Sequence, residues 1–334
     1  MKNRIVKFSG GKSSFAVAAW VKENYPNDNI VLYFNDTLWE DEDLYRFNKE
    51  VSDKLKLPLL VQSRGITPPQ LMVQQRYLAN NRAGICSTEL KIKVAMRFLK
   101  KGIIPEVEYW YNKDFLKQSI HGIRDEEFFE NTTLYFGIGW EEMHRPKKIA
   151  VNWKPFKVQF PLIKKINDRN IYLEKYSIEE PRLYKMNFAH NNCKGRCVKA
   201  GKGHFQNLLM QDGKTFFELL EQELVLSEYA RYVRQPAIKK GISKDYLRDD
   251  VMEFVTNGKK SDKIQNIIDG HKYLKNANFG VNSKGENINK PFSFMKDMTL
   301  EEFEQTAMQL SMWDVMDVGG CGCSVDYGLC SIDS

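Results

Sequence analysis

The chain is poor in cysteine, with six in 334 residues. That density excludes a small secreted scaffold held together by disulfides. It predicts a cytoplasmic protein whose thiols serve as metal ligands or catalysts. Apolar runs are short. None reaches the roughly 18 residues that a membrane-spanning helix needs, so no membrane partner is expected. The first residues lead straight into an apolar strand, which argues against a signal peptide. There is no internal repeat and no low-complexity tract, so a repeat array and a compositionally disordered chain are excluded. Two phosphate-binding signatures are missing as well. The G-x-x-x-x-G-K-[ST] spacing does not occur, and no third glycine follows the pair Gly10-Gly11 at the offset of a dinucleotide site. A strong excess of one charge is also absent: 50 Lys and Arg stand against 43 Asp and Glu, a net +7. Basic residues gather at 91–101, 145–148, 194–202 and 231–240. Two readings stay open for them. One is a nucleic-acid partner; the other is a set of solvated faces plus phosphate ligands for a single nucleotide.

What the chain does have is apolar mass: 42% hydrophobic and 12% aromatic residues, enough for a large core. Its length predicts one large domain plus an appended region. Residues 1–165 alternate between strand and helix patterns. Residues 166–205 read as an irregular linker, and 206–310 as mainly helical, with Phe216–Glu221 and Leu224–Tyr229 carrying apolar positions at helical spacing. The expected division is therefore 1–165 and 166–334. The predicted class is α/β: a Rossmann-like parallel sheet with flanking helices, followed by a mainly helical, cysteine-containing C-terminal region.

The most informative stretch is Ile5-Val6-Lys7-Phe8-Ser9-Gly10-Gly11-Lys12-Ser13-Ser14, where an apolar strand enters a glycine turn and then a helix pattern over 15–22. Paired glycines let backbone turn sharply and approach a ligand. The helix start offers unpaired N–H groups and partial positive charge. With the hydroxyls of Ser9, Ser13 and Ser14 and the ammonium of Lys12, this makes an anion cradle sized for phosphate. A second apolar run, Ile30–Phe34, ends in Asn35-Asp36-Thr37. The short crossover between the two runs implies parallel strands, which places Ser9 and Asp36 together at the carboxyl edge where ligands bind. Asp36 and Thr37 are candidates to touch a nucleotide or a Mg²⁺ ion, whereas Asp41–Asp43 read as an acidic helix start. Cys86 precedes a helix pattern with Ser87 as an expected N-cap, which would lower the thiol pKa; the other reading is a buried apolar cysteine. Arg145, at the end of a strand, glycine turn and charged segment, suits bidentate phosphate or sulfate binding. Arg124, in the Gly122-Ile123-Arg124 loop, is its competitor. Cys193-x3-Cys197 and Cys321-x-Cys323 each lie among glycines. Four thiolates are what tetrahedral zinc or a [4Fe–4S] cluster requires. The spacings match neither a zinc ribbon nor a ferredoxin pattern, so a redox pair or persulfide carrier stays open. His204 and Cys330 are spare candidates.

In order along the chain these segments resemble the phosphoadenosine phosphosulfate (PAPS) reductase-like family, bacterial and phage type. That family belongs to the adenine nucleotide alpha-hydrolase-like, or PP-loop, superfamily. Ser9–Ser14 resembles the S-G-G-x-[D/S]-S loop, with Ser13 where Asp is common. Residues 36–47 resemble D-T-G-x-E-x-x-x-T-Y-x-F, with Leu38 in place of its glycine. Residues 86–91 resemble C-[ST]-x-x-L-K, which implies that Lys91 faces nucleotide phosphates. Glu142 and Arg145 take the matched places of G-x-x-x-x-E-x-x-R, and Phe160-Pro161-Leu162 resembles the end of the nucleotide domain. The reductases' terminal E-C-G-[I/L]-H is replaced here by Cys321-Gly322-Cys323-Ser324.

The resemblance implies an enzyme that binds ATP or PAPS and couples α-phosphate chemistry to sulfur transfer or reduction. Lys12, Lys91, Arg145 and Cys86 are the expected catalytic residues. Ser9, Gly10, Gly11, Lys12, Ser13, Ser14, Asp36 and Thr37 would bind the nucleotide, and Cys193, Cys197, Cys321 and Cys323 the metal. A thiol or other sulfur donor is the expected partner. The alternatives are an ATP-dependent enzyme that inserts sulfur into nucleic acid, resembling DNA phosphorothioation, and a non-catalytic nucleotide sensor with structural zinc.

Overall fold

The computed structural model describes residues 1–80, 83–166, 168–234, 245–270, 292–295 and 298–317. The expected α/β class is what it shows: a largely parallel sheet between helices, followed by a helical C-terminal region. Six strands make the sheet: β1 (Asn3–Lys7), β2 (Asn29–Asp36), β3 (Leu59–Ser63), β4 (Val107–Tyr111), β5 (Thr132–Phe136) and β6 (Lys157–Gln159). Their spatial order is β4-β3-β2-β1-β5-β6, and only β4 runs antiparallel to its neighbour. The chain moves from β1 to β2 and β3 on one side and returns to place β5 on the other. The order therefore reverses at β1, the place where ligands bind outside the carboxyl ends of such sheets.

The period-two alternation of the strands assigns the two faces. Val6, Phe8, Leu32, Phe34 and Val61 face helices α1 (Lys12–Asn24) and α2 (Glu42–Leu55), packing on Phe15, Val17, Leu44, Phe47 and Val51. Ile5, Val31, Tyr33, Leu60, Leu134 and Phe136 face the other way, onto Ala95, Phe98 and Leu99 of α3 (Lys93–Lys101) and onto Trp153. Because both faces are covered, the inner strands are buried along their whole length. Asp41 caps α2 by accepting the N–H of Asp43 at 2.8 Å, so the acidic run does start a helix.

The chain forms two compact units. One comprises Met1–Ile66 and Ile85–Gly195; the other takes Thr67–Gly84 and the described part of Arg196–Cys321. The stretch expected as an irregular linker holds short helices at Asn170–Tyr176 and Arg182–Lys185. In the second unit, α4 (Lys202–Gln211) and α5 (Gly213–Arg234) pack with shorter helices. Helix α5 carries Glu223, fully buried, whose carboxyl accepts the backbone N–H groups of Phe294 at 2.7 Å and Leu300 at 2.6 Å. No helix among the described residues is long and apolar enough to cross a membrane.

Candidate functional site

The turn from β1 into α1 occurs where the sequence places it. Gly10 takes φ +76°, a conformation side-chain-bearing residues rarely adopt. A Cβ there would stand 2.6 Å from Leu44 Cγ and 2.8 Å from Asn48 Oδ1. The turn is braced by its own serines: Ser14 Oγ accepts from the Ser9 amide at 3.1 Å and donates to the Gly11 carbonyl at 2.9 Å. Gly137, just past β5, makes this packing possible, since a Cβ there would stand 2.9 Å from the Ser14 nitrogen.

Four residues without a motif complete the loop's surroundings. Tyr184 accepts the Lys12 backbone N–H at 3.3 Å, taking a position that suits an anion's oxygen at a helix start. Its ring lies under the Lys12 ammonium, which also pairs with Glu180 at 2.9 Å. Arg169 donates to Ser13 Oγ at 2.8 Å. Asn191 donates to the Gly10 carbonyl at 2.9 Å, while its own carbonyl oxygen is buried with no partner among the described residues. Beneath the turn, both polar atoms of Asn48 are likewise buried and unsatisfied. Buried polar atoms of this kind call for a partner, such as a water or a bound ligand.

The carboxyl end of β2 carries the second half of the site. Asp36 is the strand's last residue, and its Oδ1 accepts from the Leu38 N–H at 2.8 Å and the Tyr45 hydroxyl at 2.9 Å. Burial raises its pKa against those bonds. Its Oδ2 has no hydrogen bond among the described residues, leaving one oxygen for a cation such as Mg²⁺ or for a ligand hydroxyl. Leu38 adopts φ +56°. Thr37 donates to Glu40 Oε1 at 2.9 Å, and Lys91 pairs with that same oxygen at 3.1 Å. Glu40 Oε2 accepts the Cys193 backbone N–H at 2.5 Å. A single buried carboxylate therefore ties β2, the Lys91 helix and the Cys193 turn together. Glu40 sits inside the acidic segment, four residues after Asp36. That spacing is what marks it in the sequence.

Comparison of the chain with family models, curated proteins and solved structures finds no match.

The remaining expected residues divide. Cys86 is buried, but it already has helical φ and ψ (−59°, −39°), and Ser87 Oγ caps nothing. The segment Ser87–Ile92 is a π-helix running into α3, a wider turn that brings Lys91 round to Glu40. Arg145 is buried and ion-paired with Glu142. Arg124 is instead locked onto the carbonyls of Phe98, Ile120 and Gly122 at 3.0 to 3.2 Å and serves the fold. Cys193 and Cys197 are buried and form no disulfide. Residues 193–195 all have positive φ, and within that turn the Cys193 N–H donates to Glu40 and the Gly195 N–H to the Asn192 carbonyl at 3.3 Å. Buried thiols suit a sulfur-favouring metal, but Cys321, Cys323 and Cys330 lie outside the described residues. No cluster of three or more His, Cys, Asp or Glu able to hold a metal is found among the residues that are described.

Proposed function

We propose that this protein is an adenine-nucleotide-dependent enzyme of PAPS reductase-like, PP-loop character, acting on ATP or PAPS and coupling that chemistry to sulfur transfer or reduction. The observation that carries the reading is the Ser9–Ser14 turn, placed at the strand-order reversal with a helix start behind it and the Asp36–Thr37–Glu40–Lys91 cluster on the neighbouring strand. Anion-binding backbone and a buried lysine–carboxylate cluster at one carboxyl edge suit a nucleotide whose phosphate is to be attacked. In this reading the loop N–H groups, Lys12 and Ser13 hold the phosphate or sulfate. Asp36 contacts the nucleotide or its Mg²⁺, and Lys91 offsets charge developing in the displacement. Arg145 is a further phosphate ligand. Cys86, Cys193 and Cys197, with Cys321 and Cys323, supply the thiols for sulfur handling, bare or as ligands of zinc or a [4Fe–4S] cluster.

Paired incubations test this. ATP with pyrophosphate release as readout, and PAPS with sulfite release as readout, separate adenylation from reduction. Neither product, from anaerobically purified protein supplied with a thiol reductant and with nucleic acid as acceptor, would overturn the enzymatic reading.

A further inference from the structure

Lys7 closes β1 on the sheet face it shares with Ile5, and it is 5% exposed. Its ammonium donates to the Asn35 amide oxygen at 2.6 Å and stands 3.9 Å from the centre of the Tyr33 ring. Asn35 donates to the Tyr33 hydroxyl at 3.1 Å, Tyr33 to Gln62 at 2.5 Å, and Gln62 to Glu108 at 2.6 Å. His121 meets the other Glu108 oxygen at 2.8 Å. The register pairs Asn35 with Gln62 and Gln62 with Glu108, so one polar row crosses the carboxyl end of β1 to β4. Every donor from Lys7 onward points toward Glu108. The row fixes the lysine stem and one N–H, but its negative end lies three side chains away.

No carboxylate pairs with Lys7 among the described residues. The charged and titratable groups around it offer no relief. Lys91, from the π-helix, opposes the ammonium with like charge, and Glu40 is bonded to Lys91 instead. Tyr33 is a neutral phenol whose pKa burial pushes far up, and the centre of the Trp153 ring lies 5.9 Å from the ammonium. A buried ammonium without a counter-ion is costly, and the neutral amine is favoured relative to an exposed lysine. Burial first and Lys91 second hold its pKa well below the usual lysine value.

We propose that Lys7 is a proton-coupled anion-binding residue: the phosphate or sulfate end of an adenylate at the carboxyl edge of β1 is met by Lys7 and Lys91 together, and Lys7 takes up one solvent proton as the anion arrives. The proton adds to the amine lone pair, and no covalent bond to the ligand forms. This deepens the nucleotide reading and rests on it.

The test is calorimetric titration of the full chain with ATP, and separately with PAPS, in two buffers of unlike ionisation enthalpy. At about pH 8 both an ordinary lysine and the nucleotide phosphates already hold their final charge, so neither contributes. The wild type is expected to show net proton uptake. Lys7→Met removes the uptake and weakens binding about tenfold, the loss of one charge-assisted hydrogen bond. Lys7→Arg, permanently charged, keeps binding without uptake. Uptake that persists in either variant, or unchanged affinity in a folded Lys7→Met, overturns the proposal; should Lys7→Met not fold, Lys7→Arg decides alone. Wild-type binding without uptake overturns only this inference. No heat with either nucleotide overturns the nucleotide reading and this inference with it.

Discussion

Leu38 holds φ +56° immediately after Asp36 and Thr37, with 41% of its surface exposed. A side-chain-bearing residue in that region sacrifices about 1 kcal/mol, whereas glycine does not. Leu38→Gly relieves that strain but also gives up the partly buried side chain, worth about 1 kcal/mol in the opposite direction, so the stability read by urea denaturation is expected to change by less than about 1 kcal/mol; a larger loss would contradict the strain. Gly10 is the opposite case. Its positive φ combines with a blocked Cβ position, 2.6 Å from Leu44. Gly10→Ala is expected to cost roughly 2–3 kcal/mol and to abolish nucleotide binding, read by denaturation and calorimetry on the same sample. Glu40 compensates Lys91 in an ion pair whose side chains are 0% and 4% exposed. Glu40→Ala strands a buried cation and the Thr37 and Cys193 donors, with an expected loss of about 3–5 kcal/mol. The double variant Glu40→Ala with Lys91→Met should recover a large part of that loss. If it recovers none, the pair is not what Glu40 stabilises.

At the scale of elements, the β1–turn–α1 unit depends on a close approach from another strand. A Cβ on Gly137 would stand 2.9 Å from the Ser14 nitrogen and 3.0 Å from the Ser13 carbonyl carbon, both backbone atoms of the first turn of α1. Gly137→Ala must therefore shift β5's end or the helix start. The expected outcome is at least a tenfold weaker ATP affinity with a loss of stability in the range of about 1–3 kcal/mol. Unchanged affinity would show that the helix start does not hold the ligand. This dependence also explains what could be read from sequence. The turn, α1, β2 and the Asp41 cap are local: glycine pairs, apolar alternation and a capping carboxylate lie within a few residues of what they determine. Tyr184, Arg169 and Asn191 reach the same loop from more than 150 positions away, and no local pattern marks them. The helices at Asn170–Tyr176 and Arg182–Lys185 are too short to show a period, so the stretch read as irregular. Lys7 was hidden because a lysine ending a strand reads as chain leaving the core; only the register reveals the polar row that buries it. Ser87 shows the opposite case: a serine before a helical pattern signals a cap, but Ile85 and Cys86 are already helical, so Ser87 lies inside the helix rather than at its start.

At the scale of the whole molecule, two compact units need not unfold together, and pH offers a way to tell their transitions apart. Glu223 lies in the helical unit, fully buried, and its pKa is pushed up to about 8 by desolvation that outweighs the two backbone N–H bonds it accepts. Unfolded, a glutamate titrates near about 4.3. Between those values the folded state holds a proton that the unfolded state has released, so stability falls as pH rises and levels off above about 8. One proton sets the steepest slope at about 1.4 kcal/mol per pH unit. Other groups contribute their own slopes, but they cancel in the difference between wild type and Glu223→Gln, which is neutral at every pH and keeps a carbonyl acceptor. Measured by urea denaturation from pH 5.5 to 8.5, the wild type is expected to lose stability relative to Glu223→Gln steadily up to about pH 8 and to run parallel above it. If the chain unfolds in two steps, that divergence belongs to one step alone, which assigns it to the helical unit and leaves the other step to the unit carrying the glycine turn. Parallel curves throughout would mean that Glu223 stays ionised in the fold, with the Phe294 and Leu300 amides stabilising its charge by more than burial opposes it.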